Sequence, residues 1–168
     1  MKSLWTPWRR GYVVGQKPKG CLFCLKQREP IEKDRENYIL YRGETCYILL
    51  NLYPYTNGHL MIAPYVHEGN IERLDDKSLC EMILLARASV AALKQALSPA
   101  GFNIGMNLEK VAGAGIADHL HMHVVPRWQG DVNFMSVFAE TRLIPEALDT
   151  TYDELLPILA KVISGGMK

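Results

Sequence analysis

Between positions 119 and 125 the chain reads His-Leu-His-Met-His-Val-Val, imidazole and apolar side chains alternating with a period of two. Successive side chains of an extended strand point to opposite faces. The run therefore predicts a strand over His119–Val125, ended by Pro126, with Leu120, Met122 and Val124 in a core. His119, His121 and His123 line the other side, so one face of the sheet is packed and the other carries chemistry. Core histidines usually occur singly, and three at this spacing argue against a merely structural role.

The flanking sequence supplies the rest of such a sheet. β-type segments at Asn37–Tyr41, Cys46–Asn51 and His59–Ala63 are separated by Gly43 and by the turn cluster from Pro54 to Gly58, which predicts two hairpins. Asp75–Leu97 places Leu79, Met82, Ile83, Ala86, Val90, Leu93 and Leu97 near helical spacing and stops before Ser98 and Pro99, which predicts a long helix. Phe102–Leu108 resumes a strand, Lys110–Ile116 is a Gly-rich loop, Phe134–Phe138 adds a short strand, and Thr151–Ile163 reads as a terminal helix despite Pro157. The expected fold class is α+β, an antiparallel sheet of about five strands with one long helix and a C-terminal helix. At 168 residues the chain fits a single domain: an N-terminal arm with a Cys pair at 1–35, a core at 36–140 and a helical tail at 141–168.

Charge narrows the partners. Nineteen Lys plus Arg stand against 18 Asp plus Glu, so no global field draws the chain to nucleic acid or to membranes, and an anionic ligand must be held locally. Met1–Tyr12 lacks the apolar stretch and cleavage site of a secretory signal. Met82–Leu93 is interrupted by Arg87 and is too short to span a bilayer. The expectation is a soluble, cytoplasmic protein whose four cysteines are thiols or metal ligands rather than a disulfide framework. Cys46 and Cys80, inside a predicted strand and helix, read as buried hydrophobes.

A metal is the rival use of the histidine run, because a His-x-His pair on a strand presents two imidazoles to one zinc. At about 3.3 Å per residue, His119 and His123 lie roughly 13 Å apart, too far for an unkinked strand to bring all three to one ion. The three histidines must divide their labour. Cys21 and Cys24 form C-x-x-C, which is open between a zinc half-site and a redox pair; the βαβ unit that a redox reading expects is not visible.

The string His-x-His-x-His followed by two apolar residues is the defining motif of the histidine triad (HIT) family. The stretch GAGIADHLHMHVVPRWQGDVNFM, with LWTPWR and NLYPYTNGHLMIAP, resembles the branch of diadenosine tetraphosphate phosphorylases and related hydrolases, from Leu4 to about Pro145. The resemblance implies a HIT-like fold and a catalytic role for His121, the nucleophile that attacks the α-phosphorus and holds the nucleotidyl group covalently. An imidazole with a pKa near 6.5 is largely neutral and nucleophilic at cellular pH. His123 matches the position that contacts the phosphate and leaving group, and His59 a histidine that supports the site from a neighbouring strand. Asn51 matches the ribose-binding residue, although an Asn ending a strand equally serves a turn. Leu49 and Met61 share faces with Asn51 and His59 and are candidates for the base pocket, or ordinary core residues.

Gly113 and Gly115, just upstream, are candidates for a backbone anion nest. Several family members carry Gln or Ser three or four residues before the first triad His, where this chain has Ile116 and Gly115. Arg127 is favoured over Lys110, Arg9 and Arg10 as the cation facing polyphosphate. In some members, and in a related uridylyltransferase group, a Cys pair joins a His after the third strand and the first triad His. Cys21, Cys24, His67 and His119 match those positions, which implies a structural zinc site and no organic cofactor.

The function so implied is cleavage of dinucleoside polyphosphates of the diadenosine tetraphosphate kind through a nucleotidyl-histidine intermediate, with a purine nucleotide or dinucleoside polyphosphate as the bound partner and phosphorolysis by inorganic phosphate ahead of hydrolysis. The alternatives are a metal-dependent hydrolase using the His cluster as zinc ligands, and a nucleotide-binding regulatory module with weak nucleoside phosphoramidase activity. Family members are commonly dimers, so a homodimer is expected.

Overall fold

The computed structural model describes residues 20–131 and 146–166. Strands β1 (Ile39–Arg42), β2 (Cys46–Leu50), β3 (Leu60–Pro64), β4 (Gly101–Met106) and β5 (Met122–Arg127) form one sheet in the order β1-β2-β3-β5-β4. Every neighbouring pair is antiparallel. The helices are α1 (Leu22–Arg28), α2 (Asp34–Asn37), α3 (Asp76–Leu97) and α4 (Leu148–Ser164). This is the α+β arrangement expected from the alternation of strand-like and helical segments.

The two central hairpin strands are apolar without interruption because both of their faces are covered. On one face Cys46, Ile48, Leu50, Leu60, Ile62, Met122 and Val124 pack against Met82, Leu85, Ala86 and Leu93 of α3 and Tyr152, Leu155 and Leu159 of α4. On the other, Ile39, Tyr47, Leu49, Met61 and Ala63 form a second cluster with Phe23 of α1. The period-two rule thus sorts Met122 and Val124 from His123 as expected.

Helix α3 starts where Asp75 caps it, its carboxylate accepting from the Ser78 N–H at 2.8 Å. It ends at Ser98, in the left-handed region ahead of Pro99. From its first turns Glu81 reaches back to the β1–β2 connection and accepts the N–H groups of Glu44 (2.8 Å), Thr45 (2.6 Å) and Cys46 (2.9 Å) together with the Thr45 hydroxyl. Among the described residues no helix is long and apolar enough to cross a membrane.

Four expectations need correction. β5 begins at Met122, not His119, because the Leu120 N–H bonds to the Glu68 carbonyl at 2.7 Å rather than to a ladder. It also runs through Pro126 to Arg127. Arg127 turns its carbonyl to Ala100 beside β4, so Pro126 faces the opposite side, beyond the last β3 pair at Leu60 and Val124, where its carbonyl accepts from the Thr56 hydroxyl. A missing N–H there breaks no ladder bond. β1 starts at Ile39 because residues 34–37 form α2, ended by Tyr38 at φ 57. Finally, the arm is not only loop: α1 is helical and Phe23 is 1% exposed within the second cluster. The expected strand at Phe134–Phe138, with Arg9, Arg10 and the rest of 1–19, lies outside the described residues.

Candidate functional site

Register assembles the histidines. His123 pairs with Met61 on one side and Gly105 on the other, and Met61 pairs in turn with Leu49. His59 precedes β3 and Asn51 follows β2, joined by an Asn51 N–H bond to the His59 carbonyl at 2.9 Å. The Tyr55 N–H donates to His59 Nδ1 at 3.1 Å, so that nitrogen carries a lone pair and the proton resides on Nε2. His59 Nε2 then donates to His123 Nδ1 at 2.9 Å, which leaves the His123 Nε2–H as the outward donor. Burial, and secondarily the nearby His121, push His123 down to about 4, so its neutral form is the working one.

His121 has the opposite tautomer. Its Nδ1 lies 2.9 Å from the His119 carbonyl, which can only accept, so Nδ1 carries the proton and Nε2 the lone pair. The ring is 6% exposed. Burial lowers its pKa, partly offset by the bond to His119. Its centroid is 4.9 Å from that of His123, nearly perpendicular, and 4.8 Å from Phe23. A neutral, oriented imidazole with a lone pair beside a neutral N–H donor is equipped for nucleophilic attack with hydrogen-bond assistance to a leaving group.

His119 takes a different direction. Its Nε2 donates to the Pro64 carbonyl at 2.9 Å, so Nδ1 points its lone pair at Cys21 Sγ (3.3 Å), Cys24 Sγ (3.5 Å) and His67 Nδ1 (3.3 Å). Cys24 Sγ and His67 Nδ1 are 3.4 Å apart, and the four ligand atoms all lie within 4.8 Å of one another. Tetrahedral zinc with ordinary Zn–N and Zn–S bonds needs ligand–ligand edges of about 3.3 to 3.8 Å. The Cys₂His₂ set could therefore hold a metal ion, and the carbonyl bond on the far nitrogen of His119 is the usual outer support for such a ligand.

Other expected residues fall out differently. Leu49 and Met61 are brought together, buried in the second cluster. Asn51 takes the turn role as well, its Oδ1 accepting from the Tyr53 N–H at 2.9 Å while Nδ2 lies 3.3 Å from His59 Nδ1. Gly113 has φ +93, which favours glycine, but its N–H bonds to the Lys110 carbonyl and that of Ala114 to Glu109, so these amides close the loop on itself. A Cβ at Gly115 would meet nothing within 4 Å. The anion nest expected of Gly113 is thus not formed. Ile116, at a position where some relatives are polar, packs with the second cluster. Arg127 is not brought to the histidines: its fork holds Asp131 (2.6 and 2.8 Å) and Asn103 (2.7 Å), four residues beyond His123, or about 13 Å along the strand. Cys46 is buried as expected, whereas Cys80 is exposed, because it sits on the solvent side of α3.

Two site neighbours went unnoticed in the sequence. Tyr55 lies tilted 4.6 Å from His59 and stacks 5.9 Å from His123, and Phe23 packs on both His119 and His121. The aromatic pair in NLYPYTNG and the Phe between the two cysteines were the available signals.

The sequence matches the HIT domain model over residues 32–130. An AP-4-A phosphorylase of Mycobacterium tuberculosis is 37% identical over 157 residues, 90% of this chain and 80% of that protein. Among solved structures, a Zn-bound histidine triad family protein from Mycobacterium smegmatis superposes with a TM-score of 0.68 at 25% identity, over 87% of this chain and 97% of that one. Plasmodium falciparum diadenosine triphosphate hydrolase gives a TM-score of 0.59 at 18% identity, over 76% and 77%, a likeness of fold alone.

Proposed function

This chain belongs to the HIT domain family, and on that premise we propose that it is a nucleotide-processing enzyme that cleaves dinucleoside polyphosphates of the diadenosine tetraphosphate type through a nucleotidyl-His121 intermediate. The observation that carries the reading is the tautomer of His121: Nδ1–H on the His119 carbonyl and a lone pair on Nε2. That nitrogen attacks the α-phosphorus in line, the phosphorus–oxygen bond to the remaining phosphates breaks, and the His123 Nε2–H donates to the departing oxygen. The positive charge left on the His121 ring is stabilised by the same carbonyl. An acceptor oxygen then attacks phosphorus from the vacated side and restores the imidazole.

Inorganic phosphate is the acceptor we favour, since the 37% identical relative is named a phosphorylase. His59 acts by fixing His123, while Asn51 faces the ribose and Leu49 and Met61 back the base side of the site from within the second cluster. A structural zinc on Cys21, Cys24, His67 and His119 would tie α1 to the segment that follows β3 and the segment that precedes β5, and contribute folding energy. His121 and His123 are not part of that set, which favours attack by imidazole over a metal-dependent hydrolysis.

The test is incubation with diadenosine tetraphosphate with and without phosphate. ADP and ATP formed only with phosphate are expected, along with a mass adduct on the peptide carrying His121 that is absent in His121→Asn. AMP in place of ADP would make water the acceptor. No turnover of any adenylylated compound, or full turnover by His121→Asn, would remove the reading.

A further inference from the structure

We propose that Phe23 is a positioning residue for His121, through which the Cys21, Cys24, His67 and His119 cluster sets the direction of the reactive nitrogen; this rests on the nucleophile reading above. The observations converge on one side chain. Phe23 lies between the two cysteines, on the seven-residue helix α1. Its ring packs 4.8 Å from His121 and 5.0 Å from His119, tilted by 37° and 40°. Its own carbonyl accepts from the Tyr47 hydroxyl of β2 at 2.9 Å, so the backbone that carries the ring is fixed to the sheet as well as to the flanking cysteines.

His121 stands one residue ahead of β5. Among the described residues its ring bonds to the carbonyl of His119, which holds one edge of the imidazole through Nδ1. The Phe23 ring, 4.8 Å away and tilted by 37°, limits how far the rest of the imidazole can swing. Both restraints come from residues inside or between the cluster's ligands, so movement of the cluster is transmitted to the nucleophile by two contacts at once. Orientation matters because in-line attack tolerates little misplacement, and an error of about 1 Å can cost a hundred-fold in rate.

The experiment uses the full chain with Phe23→Leu and, should that variant not fold, Phe23→Met, which keeps volume and loses the flat ring. Metal content by elemental mass spectrometry, steady-state kinetics with diadenosine tetraphosphate, and the ring ¹⁵N shifts of His121 are read together. The expected result is unchanged metal content, kcat lowered roughly ten-fold with KM within about two-fold, and His121 shifts that move from a single tautomer toward averaged values. Wild-type kcat with a single tautomer would overturn the proposal. So would a variant that loses its metal and slows by the same factor as metal-depleted wild type, since Phe23 would then act only by holding the ion. His121→Asn, run alongside, separates the two layers. If it stays active the nucleophile reading fails, while the tautomer measurement still decides whether Phe23 orients the ring.

Discussion

Gly69 offers the sharpest test of how closely the segment before β5 is fitted to the rest. A Cβ there would meet the Ala117 carbonyl oxygen at 2.3 Å and the Asp118 carbonyl carbon and Cα at 3.2 Å. All three are backbone atoms, with no flexible side-chain end to give way. Side-chain carbons do not approach oxygen closer than 3.0 Å, so the 117–118 turn must retreat by about 0.7 Å at least. The neighbouring bond from Leu120 N–H to Glu68, at 2.7 Å, carries that shift straight into His119, whose Nδ1 and carbonyl serve the cluster and His121 respectively. Ligand distances at a metal site tolerate about 0.2 Å, so Gly69→Ala should weaken metal retention. Overpacking of this kind costs about 1–3 kcal/mol, or roughly 2–12 °C in Tm for a chain of this length. Turnover should fall roughly ten- to hundred-fold. Thermal melts, metal content after a chelator challenge, and turnover of diadenosine tetraphosphate are the measurements. Wild-type values in all three would show that the backbones do not meet as closely as described.

Two further outcomes follow from side chains whose partners are defined. Burial alone would raise the Glu81 carboxyl, but the bonds from Thr45, Glu44 and Cys46 outweigh it and hold it below the ordinary range. A depressed native value stabilises the fold above the unfolded pKa, and that contribution is lost as pH falls through the native one, in a window below about pH 4. The fall in Tm on acidification from pH 5 to 3 should therefore be shallower in Glu81→Gln than in the wild type, and equal slopes would count against the network. Arg127, held by Asp131 and Asn103 away from His121, should be dispensable for chemistry. Arg127→Ala is expected to keep kcat/KM within about two-fold, and a hundred-fold loss would place its guanidinium on the substrate.

Local rules were readable where local forces decide. Alternation put Met122 and Val124 under α3 and α4 and His123 on the other side, because a pleated strand has only two faces. The three histidines do divide, His119 turning to the cysteines, His121 binding back to a carbonyl and His123 meeting His59, although His119 lies ahead of β5 rather than on the same extended strand. What stayed hidden was tertiary. The late start of β5 depends on Glu68, about fifty residues upstream, and α1 is held by partners far along the chain, its Phe23 in the second cluster and Gln27 on the Tyr65 carbonyl. Arg127 is a different failure, since Asp131 stood four residues on and a nearby carboxylate is the first competitor for any arginine. The glycine loop misled because freedom to adopt positive φ at Gly113 serves the turn itself, leaving the amide already bonded.

The His59–His123 contact spans 64 residues and the Cys21–His119 contact spans 98. Strand β5 slots between β3 and β4, so it must be threaded into the sheet after both neighbours and α3 have been made by the ribosome. Closing such long intervals is entropically uphill until many contacts form together. A nascent chain stopped short of β5 would expose the apolar edge of β3 and lack the His59–His123 contact, which forms only once β5 is inserted beside β3.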